Sequence, residues 1–150
     1  MNRFFLSFLL IFSFAVLRSQ SIGDSLHVVH YTIEIDEINT TDKSISGNSS
    51  AFITPVSASV SGIALQLIDL SVDSVFIDGN NTSFTHSDGV IQIPLSPDLG
   101  VGDTLEARVY YHGQPFHEGW GGFHFAGDYA FNLGVGFQSI PHNLGKSWFA

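Results

Sequence analysis

The sequence predicts an all-β fold, an antiparallel β-sandwich behind a cleaved signal peptide, and three observations carry that expectation. Apolar side chains recur with a period of two along most of the chain beyond residue 25. Asp-Gly, a dipeptide suited to the positive φ angles of tight hairpin turns, stands at 78–79 and again at 88–89. No stretch beyond the N-terminal run places apolar residues at helical spacing behind a capping residue. A length of 150 residues suits one domain. With 44% hydrophobic and only 13% charged residues, a disordered chain is excluded. Five Lys and Arg against 14 Asp and Glu, a net charge of -9, argue against a nucleic-acid or anionic-membrane partner. With no cysteine, the chain has neither disulfides, nor thiolate metal sites, nor a cysteine nucleophile.

The chain opens Met1-Asn2-Arg3, then runs apolar from Phe4 to Leu17. A basic start and a short apolar run form a secretory leader pattern, and the run is shorter than the roughly 20 residues a membrane-spanning helix needs. Cleavage after Ser19 is expected, with Gln20 and Ser21 as neighbouring choices; a retained signal anchor and a buried N-terminal helix are the alternatives. Loss of residues 1–19 removes Arg3 and Arg18, leaving three basic against 14 acidic side chains in the domain 20–150. The exported domain is strongly acidic, and no membrane partner is expected once the leader is gone.

The first strand is expected over Leu26–Ile38, where Val29, Tyr31, Ile33 and Ile35 alternate with His30, Thr32, Glu34 and Asp36. Asn39 to Lys43 supply turn residues, and Ser44 to Ile53, ending at Pro55, read as the return strand of a hairpin. Alternation resumes at Ile63, Leu65 and Leu67, then at Val72–Ile77, and after the second Asp-Gly at Val90–Pro94. Pro94 to Gly102 is rich in breakers. Leu105, Ala107, Val109 and Tyr111 then form an apolar face, stopped by Gly113 and Pro115. Residues 116–128 interleave Gly119, Gly121, Gly122 and Gly127 with Phe116, Trp120, Phe123 and Phe125, which reads as a structured loop over a sheet end. A last strand is expected over Tyr129–Phe137, and Pro141-His142-Asn143 breaks into a loop.

The segment Tyr129-Ala130-Phe131-Asn132-Leu133-Gly134-Val135-Gly136-Phe137-Gln138-Ser139, with Pro141-His142-Asn143-Leu144-Gly145-Lys146 and Trp148-Phe149, resembles the end of the N-terminal domain of the aminopeptidase N family. These are zinc metallopeptidases, and the wording is most similar to secreted bacterial members. The likeness extends over the opening strand Val28–Asp36, the Ile45-Ser46-Gly47 start of the second strand, and Leu67–Gly79. It implies a saddle-shaped β-sandwich that precedes a thermolysin-like catalytic domain and walls its active-site cleft. It also implies that the chain stops short of that domain, whose zinc and general base lie beyond residue 150. The partners implied are the missing catalytic domain and a peptide substrate. In this family a Gln or Glu of the N-terminal domain helps to bind the free amino group of the substrate, and Gln138 matches that place. A side-chain oxygen can accept a hydrogen bond from an ammonium group, although a neutral amide attracts it less than a carboxylate does. Two positions depart from the family pattern: Lys146 stands where Arg is usual, losing the planar bidentate fork, and Ala150 stands where Pro is usual.

The residues themselves supply no catalytic centre. A zinc peptidase of this kind needs histidines at i and i+4 of a helix with a glutamate beside the first. His117-Glu118 begins such a motif, but position 121 is Gly121 and the surrounding glycines disfavour a helix. The remaining histidines, His27, His30, His86, His112, His124 and His142, are scattered and are expected to be exposed or hydrogen-bonded. No cofactor is expected in these residues. Gly134-x-Gly136 is followed by Ser139 rather than a third glycine, so it is no dinucleotide fingerprint. Two other classes stay open: a carbohydrate- or ligand-binding sandwich using Trp120, Phe116 and Phe123 as stacking surfaces, and a structural module without a ligand.

Overall fold

The computed structural model describes residues 25–56 and 58–150. The expected leader and its expected cleavage point lie outside the described residues. Among those residues the elements are eleven strands and one short 3-10 helix, Gly145–Ser147, so no helix is long and apolar enough to cross a membrane.

The opening hairpin forms as its alternation predicts, with β1 (Leu26–Asn39) antiparallel to β2 (Ser44–Pro55). The turn is built by Asn39, whose side-chain oxygen accepts from the amides of Thr41 and Asp42 at 3.0 and 2.9 Å. One expectation is corrected in β1. Val29 does not share the inward face of Tyr31, Ile33 and Ile35, because a β-bulge between Val28 and His30 inserts an extra residue and turns Val29 outward at 59% exposure. Leu26 and Val28 pack inward in its place.

Next come β3 (Val60–Gln66), β4 (Ser71–Ile77), β5 (Asn80–Thr82), β6 (Thr85–Ser87), β7 (Val90–Leu99) and β8 (Leu105–Gly113). Both Asp-Gly pairs sit in the tight turns expected of them. Asp78 and Gly79 have φ of 48° and 78° between the paired Ile77 and Asn80, and Asp88 and Gly89 have 51° and 71° between Ser87 and Val90. The breaker-rich stretch after Pro94 does not end β7. Proline removes one ladder donor, and the sheet absorbs this by a shift in register: Gly62 faces Pro94 while Val60, two residues away, faces Leu99.

These strands form two sheets. A five-stranded sheet has the order β1-β2-β8-β4-β5 and a three-stranded sheet the order β3-β7-β6. Their inner faces share one core. Ile45, Ala51, Ile53, Val75, Leu105, Ala107, Val109 and Tyr111 come from the first, and Ile63, Leu65, Ile91 and Ile93 from the second, with Leu67 and Leu70 on the link between them. Each fully buried aliphatic side chain here contributes about 1.5–3 kcal/mol of transfer free energy.

A third sheet, β9 (His117–Glu118), β10 (Gly121–Ala126) and β11 (Tyr129–Leu133), has the order β11-β10-β9. It joins the core through Phe123, Phe125 and Ala130. From its end the chain returns to the sandwich through the 3-10 helix. Ile68 donates its amide to the carbonyl of Lys146 at 2.9 Å, and Ser49 Oγ accepts the Ala150 amide at 3.2 Å. Ser147 and Ala150 are buried by this return.

Candidate functional site

The site is the loop 134–144 and the turn it rests on. Strand was expected to continue to Phe137, but β11 ends at Leu133. The reason is a close approach of two backbones. A Cβ on Gly121 would lie 2.6 Å from the Gly136 Cα and 2.8 Å from the Val135 carbonyl oxygen, and one on Gly136 would lie 2.7 Å from the Leu144 side chain. Glycine at both positions lets the loop fold over β10 instead of continuing the ladder. Leu144, 1% exposed, fills the gap beneath.

Hydrogen bonds then fix the loop's path. Leu144 donates its amide to the Gly134 carbonyl at 3.2 Å, closing the base. His142 Nδ1 donates to the Gly136 carbonyl at 2.7 Å. Glu118 does most at the tip: Oε1 accepts the Gln138 amide at 2.7 Å and Oε2 accepts the Ser139 hydroxyl at 2.6 Å. The Ser139 hydroxyl, then the Gln138 amide, hold the Glu118 carboxyl below the usual carboxylate range.

Gln138 is therefore an exposed residue on a fixed backbone. Its side-chain amide lies over the β9–β10 turn, where a methyl group on Gly119 would meet Nε2 at 3.8 Å and Oε1 at 4.0 Å. Around it the surface is apolar: Trp120, Phe137 and Ile140 are 69%, 70% and 92% exposed. The outward face of the third sheet continues this surface with Tyr129, Phe131 and Leu133, and His124 stacks on Phe131 with centroids 5.2 Å apart.

The three aromatics considered as a sugar platform do not form one. Phe123 is 6% exposed and part of the core, Phe116 is half-buried, and only Trp120 is open. Phe123 packs against Phe125 and Trp148. The histidines take the roles expected of them. His86, His124 and His142 each bond a backbone carbonyl, and His112 Nδ1 lies 2.8 Å from Asp73 on the surface. Among the described residues no group of three or more His, Asp or Glu side chains is placed to hold a metal ion. His117 and His124 approach each other, with ring centroids 5.0 Å apart, but His124 Nε2 is occupied in donating to the Gly121 carbonyl. Glu118 is likewise committed to two donors. These residues do not fit a zinc site.

Sequence reasoning weighed Glu118 only as part of a metal motif and missed its place beneath Gln138. The available signal was a lone carboxylate beside a glycine-rich turn, which carries no information about a loop 20 residues further on. Lys146, by contrast, contributes through its backbone carbonyl to Ile68, whatever its side chain.

No protein-family model matches this chain. Nor does any curated protein. Solved structures do match. A point mutant of an M1 zinc metallopeptidase from Deinococcus radiodurans, bound to a Tyr-Ser-Ala substrate, superposes with a TM-score of 0.70 at 19% identity, covering 83% of this chain and 28% of the other. A two-domain M1 zinc metallopeptidase mutant bound to L-tryptophan gives 0.71 at 19% identity, with 84% and 29% covered. The same kind of mutant bound to L-arginine gives 0.68 at 22% identity, with 83% and 31% covered. The chain thus spans less than a third of the length of these structures. It has the fold of their N-terminal domain region, the antiparallel all-β architecture that the sequence resemblance implied.

Proposed function

We propose that this chain is the non-catalytic N-terminal domain of a secreted zinc metalloaminopeptidase, an enzyme that removes N-terminal residues from peptides. The observation that carries the reading is the fold, matched over more than four fifths of this chain to less than a third of the length of zinc metallopeptidase structures. The matched proteins hold a peptide or an amino acid, which supports a peptide substrate for this one. In this reading the apolar face of Tyr129, Phe131 and Leu133, with Trp120 and Phe137 beside it, packs against the catalytic domain and walls the cleft. Gln138 reaches the cleft and accepts a hydrogen bond from the substrate's free ammonium group. The metal, the activated water and the general base belong to the catalytic domain, and the residues described here bind and orient.

The test is made on the full gene product, with zinc content and hydrolysis of aminoacyl 7-amido-4-methylcoumarins as readouts. Zinc-dependent release of the N-terminal residue is expected. Gln138→Ala should raise KM about tenfold, the scale of one hydrogen bond to a charged group, with kcat little changed. A protein without aminopeptidase activity overturns the reading. An unchanged KM for Gln138→Ala removes Gln138 from it.

A further inference from the structure

We infer that Glu118 is a positioning residue for amino-group recognition: its carboxylate pins the backbone of Gln138 and Ser139 and sets a fixed negative charge beside the Gln138 amide. This rests on the reading that Gln138 meets the substrate ammonium. The geometry is specific. Glu118 belongs to a strand of two residues paired only through His117–Gly122 and Glu118–Gly121, so the Gly119-Trp120 turn brings the carboxylate to the surface at the loop. Each carboxylate oxygen takes one donor, the Gln138 amide at 2.7 Å and the Ser139 hydroxyl at 2.6 Å. Both distances are in the short range of charge-assisted bonds. Gly136 admits the carboxylate, since a Cβ there would stand 2.9 Å from Glu118 Oε1.

Two consequences follow for the amide above. Among the described residues, Gln138 and Ser139 are otherwise tied only through their neighbours, at Gly134 and Gly136 on one side and His142 and Leu144 on the other. Glu118 removes the freedom of the two residues between, so the Gln138 side chain starts from a set backbone and less order is lost when a ligand binds. The second consequence is electrostatic. A neutral glutamine accepts a hydrogen bond from an ammonium but offers no charge, and the Glu118 carboxylate, bonded to the backbone amide of the same residue, supplies one. Its hydrogen bonds favour the ionised form.

The experiment compares Glu118→Ala, Glu118→Gln and Gln138→Ala in the full gene product, using hydrogen-deuterium exchange over peptides spanning 136–140 and kinetics with aminoacyl 7-amido-4-methylcoumarins. For Glu118→Ala we expect faster exchange at Gln138, a KM raised about tenfold and kcat within about twofold of wild type. Glu118→Gln keeps an acceptor oxygen but no charge. It should retain most of the protection while KM still rises about threefold, a split that a purely structural role would not give. If Gln138→Ala raises KM while both Glu118 variants keep the wild-type KM, the role of Glu118 is refuted and that of Gln138 stands. If Gln138→Ala leaves KM unchanged, the amino-group reading fails and the inference falls with it. A Glu118→Ala protein that loses kcat and KM together, with exchange raised across the whole third sheet, identifies Glu118 as a folding residue and also refutes the inference.

Discussion

The sandwich and the glycine-rich third sheet are held together by different physics. In the sandwich, β2, β7 and β8 present aliphatic side chains that are almost wholly buried, among them Ile53, Ile91, Ile93 and Val109. Many side chains share that burial, and no single polar contact decides the geometry. The third sheet and the loop 134–144 bury few side chains and expose Trp120, Tyr129, Phe137 and Ile140. There the shape comes from backbones touching at Gly121 and Gly136 and from a few hydrogen bonds centred on Glu118. The first region can lose energy and keep its shape, whereas the second can lose its shape at little energetic cost.

The largest effect is expected from breaking the first region. Ile91→Ala opens a cavity between the two sheets and should cost about 3 kcal/mol in urea unfolding, with the exchange pattern of the loop 134–144 unchanged below the transition. Gly121→Ala attacks the second region. Its methyl group meets the backbone of Gly136 and Val135 as well as the Leu144 side chain, so about 1–3 kcal/mol of strain is expected. The loop relieves that strain by lifting, and faster exchange at residues 134–139 with an intact sandwich is the diagnostic result. A loop that stays protected would show that the contact with Gly136 does not set its path.

The smallest effect is expected inside the core. The Tyr111 hydroxyl is buried without a hydrogen-bond partner among the described residues. Tyr111→Phe removes that unsatisfied group and should change stability by no more than about 1 kcal/mol at neutral pH, most naturally upward. The same variant tests the alkaline limb. Burial, and secondarily the charge of Asp36, push the Tyr111 hydroxyl well above its ordinary value near 10. The unfolded chain therefore loses this proton first as pH rises, and stability present below about pH 10 declines from there towards the folded value. Burial raises Tyr31 in the same direction. Tyr111→Phe should flatten the decline without abolishing it, and an unchanged slope in pH-dependent urea titrations would contradict the assignment.

These regions also differ in how far the sequence alone describes them. The alternation of Leu105, Ala107, Val109 and Tyr111 names the residues buried in β8, and the two Asp-Gly pairs mark two hairpins at the residue. Such signals are local, because side-chain direction follows the pleat and positive φ follows the turn residue. The bulge at Val29 and the register shift opposite Pro94 were not legible, since each depends on the partner strand. The early end of β11 depends on Gly121 lying against Gly136, residues on separate segments.

By itself the sequence determined the all-β class, the hairpins and most of the core, because composition and period are written within short windows of the chain; Gln138 became a candidate only through the family resemblance. Only the tertiary structure decided the strand order β1-β2-β8-β4-β5, the withdrawal of Phe123 into the core, and the meeting of Glu118 with Gln138 and Ser139. Contacts between distant segments are chosen by the free energy of the whole packing, and no window of sequence contains both halves of the choice.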